Sequence, residues 1–410
     1  MDHSEFYRDA RADLTGPLAG VRVIEATTTW AGPMCGCLLA DFGADVIKVE
    51  HPDGEVARHA PPFLSTAEAA VSFMHATVNR NKRSLTLDLR QPGGRDVFLR
   101  LAERADVVVE NFRPGVLARF GLDYAAVRAR KPDVVYVSIS GYGQYGPDSE
   151  RAGYDPIAQA TSGYLSLNGE PEGRPVKSPT FLADDLAGLH AALGALAALR
   201  HRDRTGEGQH VDVSLLDAML FQSTGYLTLG ALGIPLPRMG NEFRIAAPAG
   251  VYPCRDGDVM LGVLLDSHWK ILARQIGHPE LADHPDYATT PARLARRADV
   301  NRRVEAWTRE RGVPEVVAAL VQAGLPAAPV QSYADAARDP HVRARDMLQE
   351  VPQEDGQSAP ITGPAAKLSR TPLRVRSGAP GLGAQTEEIL GELGLDAEQV
   401  ARLRDARVIR

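Results

Sequence analysis

Through the first half of the chain, short β-branched runs alternate with alanine- and leucine-rich stretches of helical period. Strands spaced by helices cannot pair as hairpins, so the order predicts a parallel sheet covered by helices on both faces. The runs are Val21 to Glu25, Asp45 to Val49, Ser84 to Leu87, Asp106 to Val109 and Val134 to Ser138. Between the first two, Ala31-Gly32-Pro33 leads into a helix from Met34 to Phe42, with Pro33 suited to a first turn and Gly43 to the helix end. A turn at Gly206 to Gln209 precedes a further run, His210 to Ser214, and an apolar helix from Leu215. Past Gly230 the texture changes. Asp256-Gly257 lies between two apolar runs as a hairpin signal, and helical patterns follow over Ser267 to Ile276, Asp299 to Arg311 and Pro314 to Ala323. The expected architecture is therefore α/β: a Rossmann-like large domain with a parallel sheet (1–225), a smaller α+β domain (226–325), and a C-terminal segment (326–410) that returns to the large domain. That segment carries a short strand at Ala328 to Val330 and a last helix from Thr386.

With 410 residues and 44% hydrophobic side chains the chain can build a sizeable core. Its 46 basic and 52 acidic residues give a net charge of −6, with no basic run, so the electrostatic footprint of a nucleic-acid binder is missing. Cys35, Cys37 and Cys254 are too few for a disulfide framework and have no zinc spacing, and the eleven histidines include no H-x-x-x-H pair. The N-terminus is charged, without an apolar h-region. These features predict a cytoplasmic protein with no membrane segment, no metal site and no tightly bound cofactor.

Glu50, at the end of the second strand, stands where a dinucleotide fold places its ribose-binding acid, but the turn after the first strand offers Gly32 and Gly36 without G-x-G-x-x-G, and Trp30 would crowd a pyrophosphate. Helix-packing glycines are the better reading. A P-loop and a G-x-S-x-G elbow are also missing. Asp184 and Asp185 open a helix whose Leu186, Leu189, Leu193, Leu196 and Leu199 fall on one stripe, which predicts deep packing. A carboxylate at a helix start serves either as a cap or as a nucleophile, and a pair allows both. Asn111, Phe112, Arg113 and Arg119 follow a strand end, where an open parallel sheet binds its ligands. Arginines there either meet a phosphate or stand in solvent. The run Asn79 to Ser84 is in the same way a solvated turn or a cluster that steers an anion.

Leu18-Ala19-Gly20-Val21-Arg22-Val23, Ala31-Gly32-Pro33, Leu39 to Glu50, Asn81 to Ser84, Glu110 to Gly115, Ser140 to Gly143, Gly153 to Asp155, Thr205 to Gln209 and Asp339 to Arg345 occur in this order, and together they resemble the class III CoA-transferases, a family that also contains α-methylacyl-CoA racemases. The resemblance implies an acyl-CoA thioester and a small carboxylic acid as substrates, and a homodimer whose chains interlock. It implies that Asp184 forms covalent intermediates. Trp30, Ala31, His51, Leu87, Asp88, Leu89, Arg90, Asn111, Phe112, Arg113, Arg119, Tyr154 and Asp155 would line the CoA site, and Gly240 and Asn241 would belong to a glycine-bearing loop near the reacting carbonyl. The racemase branch has histidine where this chain has Tyr154, and a phenol with a pKa near 10 is a poor base at neutral pH. Many relatives carry arginine in place of His51. Racemisation and non-catalytic acyl-CoA binding are the alternatives to transfer.

Overall fold

The computed structural model describes residues 2–65 and 70–410, in two compact units. The larger comprises residues up to Tyr164, Lys177–Gly233 and Pro340–Arg410; the smaller comprises Leu165–Val176 and Ile234–Asp339.

The larger unit is built on a six-stranded parallel sheet of order β3-β2-β1-β4-β5-β6: β1 Arg22–Ala26, β2 Asp45–Glu50, β3 Lys82–Thr86, β4 Val107–Glu110, β5 Val135–Ser140 and β6 Gln209–Ser214. Alternation along the strands gives each face its own core. Val23, Val46, Val107 and Val135 meet α1 (Ala31–Asp41) and the long helix described below. Ile24, Ile47, Leu85 and Val108 meet the helix Pro92–Ala102 and, from the C-terminal segment, the helix Thr386–Glu392 and a second one, Ala397–Asp405, where one last helix was expected. The C-terminal tail is stitched to β3: Gln385 N–H donates to Ser84 O at 3.0 Å, and Gly383 N–H donates to Ser84 Oγ at 2.9 Å. Between the expected strand and helix of this segment lies a hairpin of β10 (Leu348–Pro352) and β11 (Ser358–Thr362); its strands are short and each contains proline, which mutes the alternation signal.

After β5, the helix α2 (Asp155–Thr161) precedes the helix α3 (Leu182–Thr205). By length and hydropathy α3 is one helix among the described residues that could cross a membrane. It packs instead across the sheet and α1, and it does so on alanine and glycine. Ala183, Ala187, Gly188, Ala191, Ala195 and Ala198 are buried, whereas Leu189 and Leu193 are 52% and 60% exposed. The expected deep leucine stripe is thus wrong in two of its five members. Close approach is the reason: a Cβ on Gly188 would lie 2.8 Å from Met34 and 2.9 Å from Ala31 O, so only small residues fit between α3 and α1.

The smaller unit pairs β7 (Ala249–Pro253), β8 (Asp258–Gly262) and β9 (Ala327–Pro329) into an antiparallel sheet, with Asp256-Gly257 in the first turn. Helices Asp266–Gln275, Arg297–Arg309 and Val313–Gln322 cover it through Trp269, Leu272, Val300, Val304, Val316 and Leu320.

Candidate active site

In a parallel sheet the residues after each strand collect along one edge, where the strands end. Here that edge carries Leu87 to Arg90 after β3, His51 after β2, Thr27 to Trp30 after β1, Asn111 to Arg113 after β4 and Gly141 after β5. A cavity of about 340 Å³ opens at the middle of it. Its wall brings together Trp30, Ala31, Asn111, Phe112, Arg113, Tyr154 and Asp184 of the expected residues.

Three carboxylates surround the start of α3, and their partners separate their roles. Phe181 stands at the N-cap and supplies no side-chain hydrogen bond. Asp155 does this work from α2: its Oδ1 accepts the Ala183 N–H at 2.7 Å, and its Oδ2 accepts Gln159 Nε2 at 2.7 Å. Gln159 is fixed in turn, accepting the Ser178 N–H at 2.8 Å. Asp155 is only 4% exposed and stands behind the cavity wall rather than in it. Asp185 accepts the Trp30 indole N–H at 2.6 Å, and the Trp30 ring rests 4.9 Å from that of Phe181. Asp184 remains. No donor reaches its carboxylate among the described residues, and it faces the cavity. Burial raises its pKa to about 7, with Asp155 and Asp185 adding repulsion. Of the two readings for this aspartate pair, cap or nucleophile, the cap has gone to a residue outside the pair.

Other expected residues lie elsewhere along the edge. Arg90 donates to Asp88 Oδ1 at 2.8 Å and to His51 Nε2 at 2.5 Å, making a polar cluster beside Leu89 at the ends of β2 and β3. Leu87 is buried in the core. Arg119 ends the exposed side of the helix Val116–Phe120. Gly240 and Asn241 belong to the smaller unit. Among the described residues no group of three His, Cys, Asp or Glu side chains is arranged to hold a metal ion.

The run Asn79 to Ser84 is neither a solvated turn nor an anion lure. Arg80 meets Asp41 at 2.6 Å, Lys82 meets Glu25 at 2.8 Å and Arg83 meets Asp45 at 2.7 Å, with Arg80 and Lys82 buried. Glu50 is likewise committed to Arg58, at 2.7 Å, and to the Ser84 hydroxyl. Sequence reasoning missed Arg151, Ser140, Thr28 and Thr29, all on the cavity wall. Arg151 is tethered to Asp148 at 2.8 Å and lies 5.0 Å over the Tyr142 ring, contacts that no local motif announces.

Residues 18–386 match the model of the family described as CoA-transferase family III. The chain is 39% identical over 386 residues to a succinate–glutarate CoA-transferase of Agrobacterium fabrum, covering 92% of this chain and 96% of the relative. It is 40% identical over 402 residues to the β subunit of a succinyl-CoA–L-malate CoA-transferase of Chloroflexus aurantiacus, covering 96% and 98%. A solved CaiB/BaiF family protein from Brucella suis superposes with a TM-score of 0.82 at 36% identity, covering 92% of this chain and 99% of that one.

Proposed function

Starting from a chain that belongs to CoA-transferase family III, we propose that it moves coenzyme A from a dicarboxylic acyl-CoA, with succinyl-CoA as the donor, to a carboxylic acid acceptor through covalent intermediates on Asp184. The observation that carries this reading is the untied Asp184 carboxylate in the cavity wall, beside two aspartates already committed to other partners. An Asp184 oxygen attacks the thioester carbonyl, the C–S bond breaks, and CoA leaves as thiolate from a mixed anhydride. The thiolate attacks the aspartyl carbonyl and releases the donor acid, leaving an aspartyl-CoA thioester. The acceptor carboxylate then expels the thiolate to form a second anhydride, and the thiolate attacks its acyl carbonyl, freeing Asp184 and the new acyl-CoA. No net proton moves, so ionised oxygen and sulfur nucleophiles suffice.

The row of residues from Arg90 and His51 to Arg113 supports an extended CoA arm along the sheet edge, ending at Asp184. The relatives named for succinyl-CoA support a donor with a free distal carboxylate, and Arg113 and Arg151 are the cations on the cavity wall that such a group would meet. Tyr154, 65% exposed on the same wall, is a neutral contact for the acyl chain in this reading. The exposed apolar side chains Leu189, Leu193, Phe221, Leu227 and Leu232 support a homodimer in which a second copy covers them. Incubating the purified protein with succinyl-CoA and a panel of carboxylates, read by mass spectrometry, tests the whole proposal: new acyl-CoA species are expected, and hydrolysis or silence across the panel defeats it.

Two narrower results follow. Because Asp184 must be ionised to attack and loses its proton at about pH 7, kcat/KM for the donor should fall roughly tenfold per pH unit below 7 and level off above it. A flat profile from pH 5 to 8 would remove Asp184 as the titrating nucleophile. Replacing Arg151 by Met should lower kcat/KM for succinyl-CoA by about 1.5–3 kcal/mol, roughly ten- to a hundredfold, and leave that for butyryl-CoA unchanged. Equal losses on both donors would mean that Arg151 shapes the loop and not the choice of acyl group.

A further inference from the structure

The turn that presents Trp30 to the cavity holds a backbone conformation its sequence disfavours. Thr29 has φ +68°, the left-handed region, which costs a β-branched residue about 1–2 kcal/mol. Such strain persists only where neighbours over-determine it, and here the neighbours are in place. The Thr29 N–H donates to Glu55 Oε2 at 2.6 Å. On one side Asn111 grips Thr28 twice, accepting its N–H and donating to its carbonyl, both at 2.8 Å. On the other, Lys48 Nζ donates to Thr27 O at 3.1 Å. Glu55 is itself buried, and its Oε1 stands 2.9 Å from Lys48 Nζ, which is fully enclosed and lies 3.6 Å from Glu25. The next residue along the chain is Trp30, whose indole holds Asp185 beside Asp184.

We propose that Glu55 is a positioning residue for the transfer reaction: anchored by Lys48, it locks Thr29 in the left-handed conformation and so sets the Trp30 indole that fixes Asp185 next to Asp184. The assignment rests on Asp184 as the nucleophile. A bland alternative is that Glu55 only neutralises a buried lysine. Two variants separate these roles, since Glu55→Gln keeps an oxygen within reach of the Thr29 N–H and loses the charge, whereas Glu55→Asp keeps the charge and withdraws it by one methylene.

The experiment uses the full chain labelled with 5-fluorotryptophan. Its three tryptophans give three ¹⁹F lines, with Trp30 assigned by Trp30→Phe, and with Trp269 and Trp307, both in the smaller unit, as internal references. Glu55→Asp is expected to move the Trp30 line alone and to lower kcat roughly ten- to a hundredfold, since an ångström of misplacement costs on that scale, with a smaller change in KM. Glu55→Gln should keep the Trp30 line and lose less activity, although it loses more stability. Adding Thr29→Gly to Glu55→Asp should restore the line and most of the rate, because glycine takes a positive φ without strain. The reverse activity order, or a Trp30 line unmoved in Glu55→Asp, overturns the proposal. The fluorine signal needs no turnover, so an inactive wild-type protein would count against the transferase reading while this readout still decides the role of Glu55.

Discussion

Asp184→Ala is expected to leave a folded protein that turns over at least ~10⁴-fold more slowly, because every intermediate of the exchange is built on that carboxylate. Neighbouring substitutions should be milder. Asp185→Ala frees the Trp30 indole, and Asp155→Ala uncaps α3 at a cost of about 1 kcal/mol, but neither removes the nucleophile. Hydroxylamine added to the wild-type protein and donor should modify the peptide that contains Asp184, since it intercepts both anhydride and thioester. A second consequence follows from the site's electrostatics. The Asp184 carboxyl holds its proton to about pH 7 in the folded chain, against an ordinary value of 3.8, because burial disfavours the charge. Between those two pH values the folded state binds more protons than the unfolded state, so stability falls as pH rises and stays lower above pH 7. The neutral variant Asp184→Asn should therefore melt above wild type at pH 8, by the equivalent of about 2–4 kcal/mol, and close to it at pH 4. An active Asp184→Ala protein would end the covalent reading. An Asp184→Asn protein with no stability gain at pH 8 would show that the carboxylate is well solvated.

The expected α/β order and the strand positions matched the structure because β-branched runs buried on both faces leave a signal in every strand of a parallel sheet. The placement of Asn111 and Arg113 on the cavity wall was readable because residues that follow a strand collect along that edge of a parallel sheet. What could not be read depends on contacts distant in sequence. Asp155 caps a helix that begins 27 residues later, at Leu182, and nothing local to either segment says so. Thr29 gives no hint of a positive φ, since its chemistry argues against one and the compensation comes from Glu55, across β2. The leucines of α3 misled through a real regularity. Leu199 is buried and Leu186 and Leu196 pack at the margin of the core, but Leu189 and Leu193 face away from it, because the side of the helix that approaches α1 is the one with the least volume.

Lys82→Met should be strongly destabilising, at about 3–5 kcal/mol, read as a fall in the denaturation midpoint. Lys82 is fully buried under α1, and its ammonium group donates to both oxygens of Glu25 at 2.8 and 2.9 Å, to Pro33 O at 2.8 Å and to Asn79 Oδ1 at 3.0 Å. Without it the Glu25 carboxylate, also fully buried, keeps only Lys48 at 3.6 Å among the described residues, and the desolvation cost of the charge goes largely uncompensated. If that account is right, removing the carboxylate as well should recover most of the loss, so the pair Glu25→Met and Lys82→Met should be far more stable than Lys82→Met alone. Lys48 would still have Glu55, at 2.9 Å. Gly36 supplies an independent check. A Cβ there would fall 1.6 Å from Glu25 Oε2, so Gly36→Ala must be strongly destabilising while the carboxylate is pinned and tolerated once Glu25 is Met and its side chain can repack. Glycine in the first helix is then explained by the buried charge beneath it rather than by a nucleotide above it. A Lys82→Met protein within about 1 kcal/mol of wild type, or a Gly36→Ala penalty that is the same with and without Glu25, would mean that the buried ion network does not hold this end of α1.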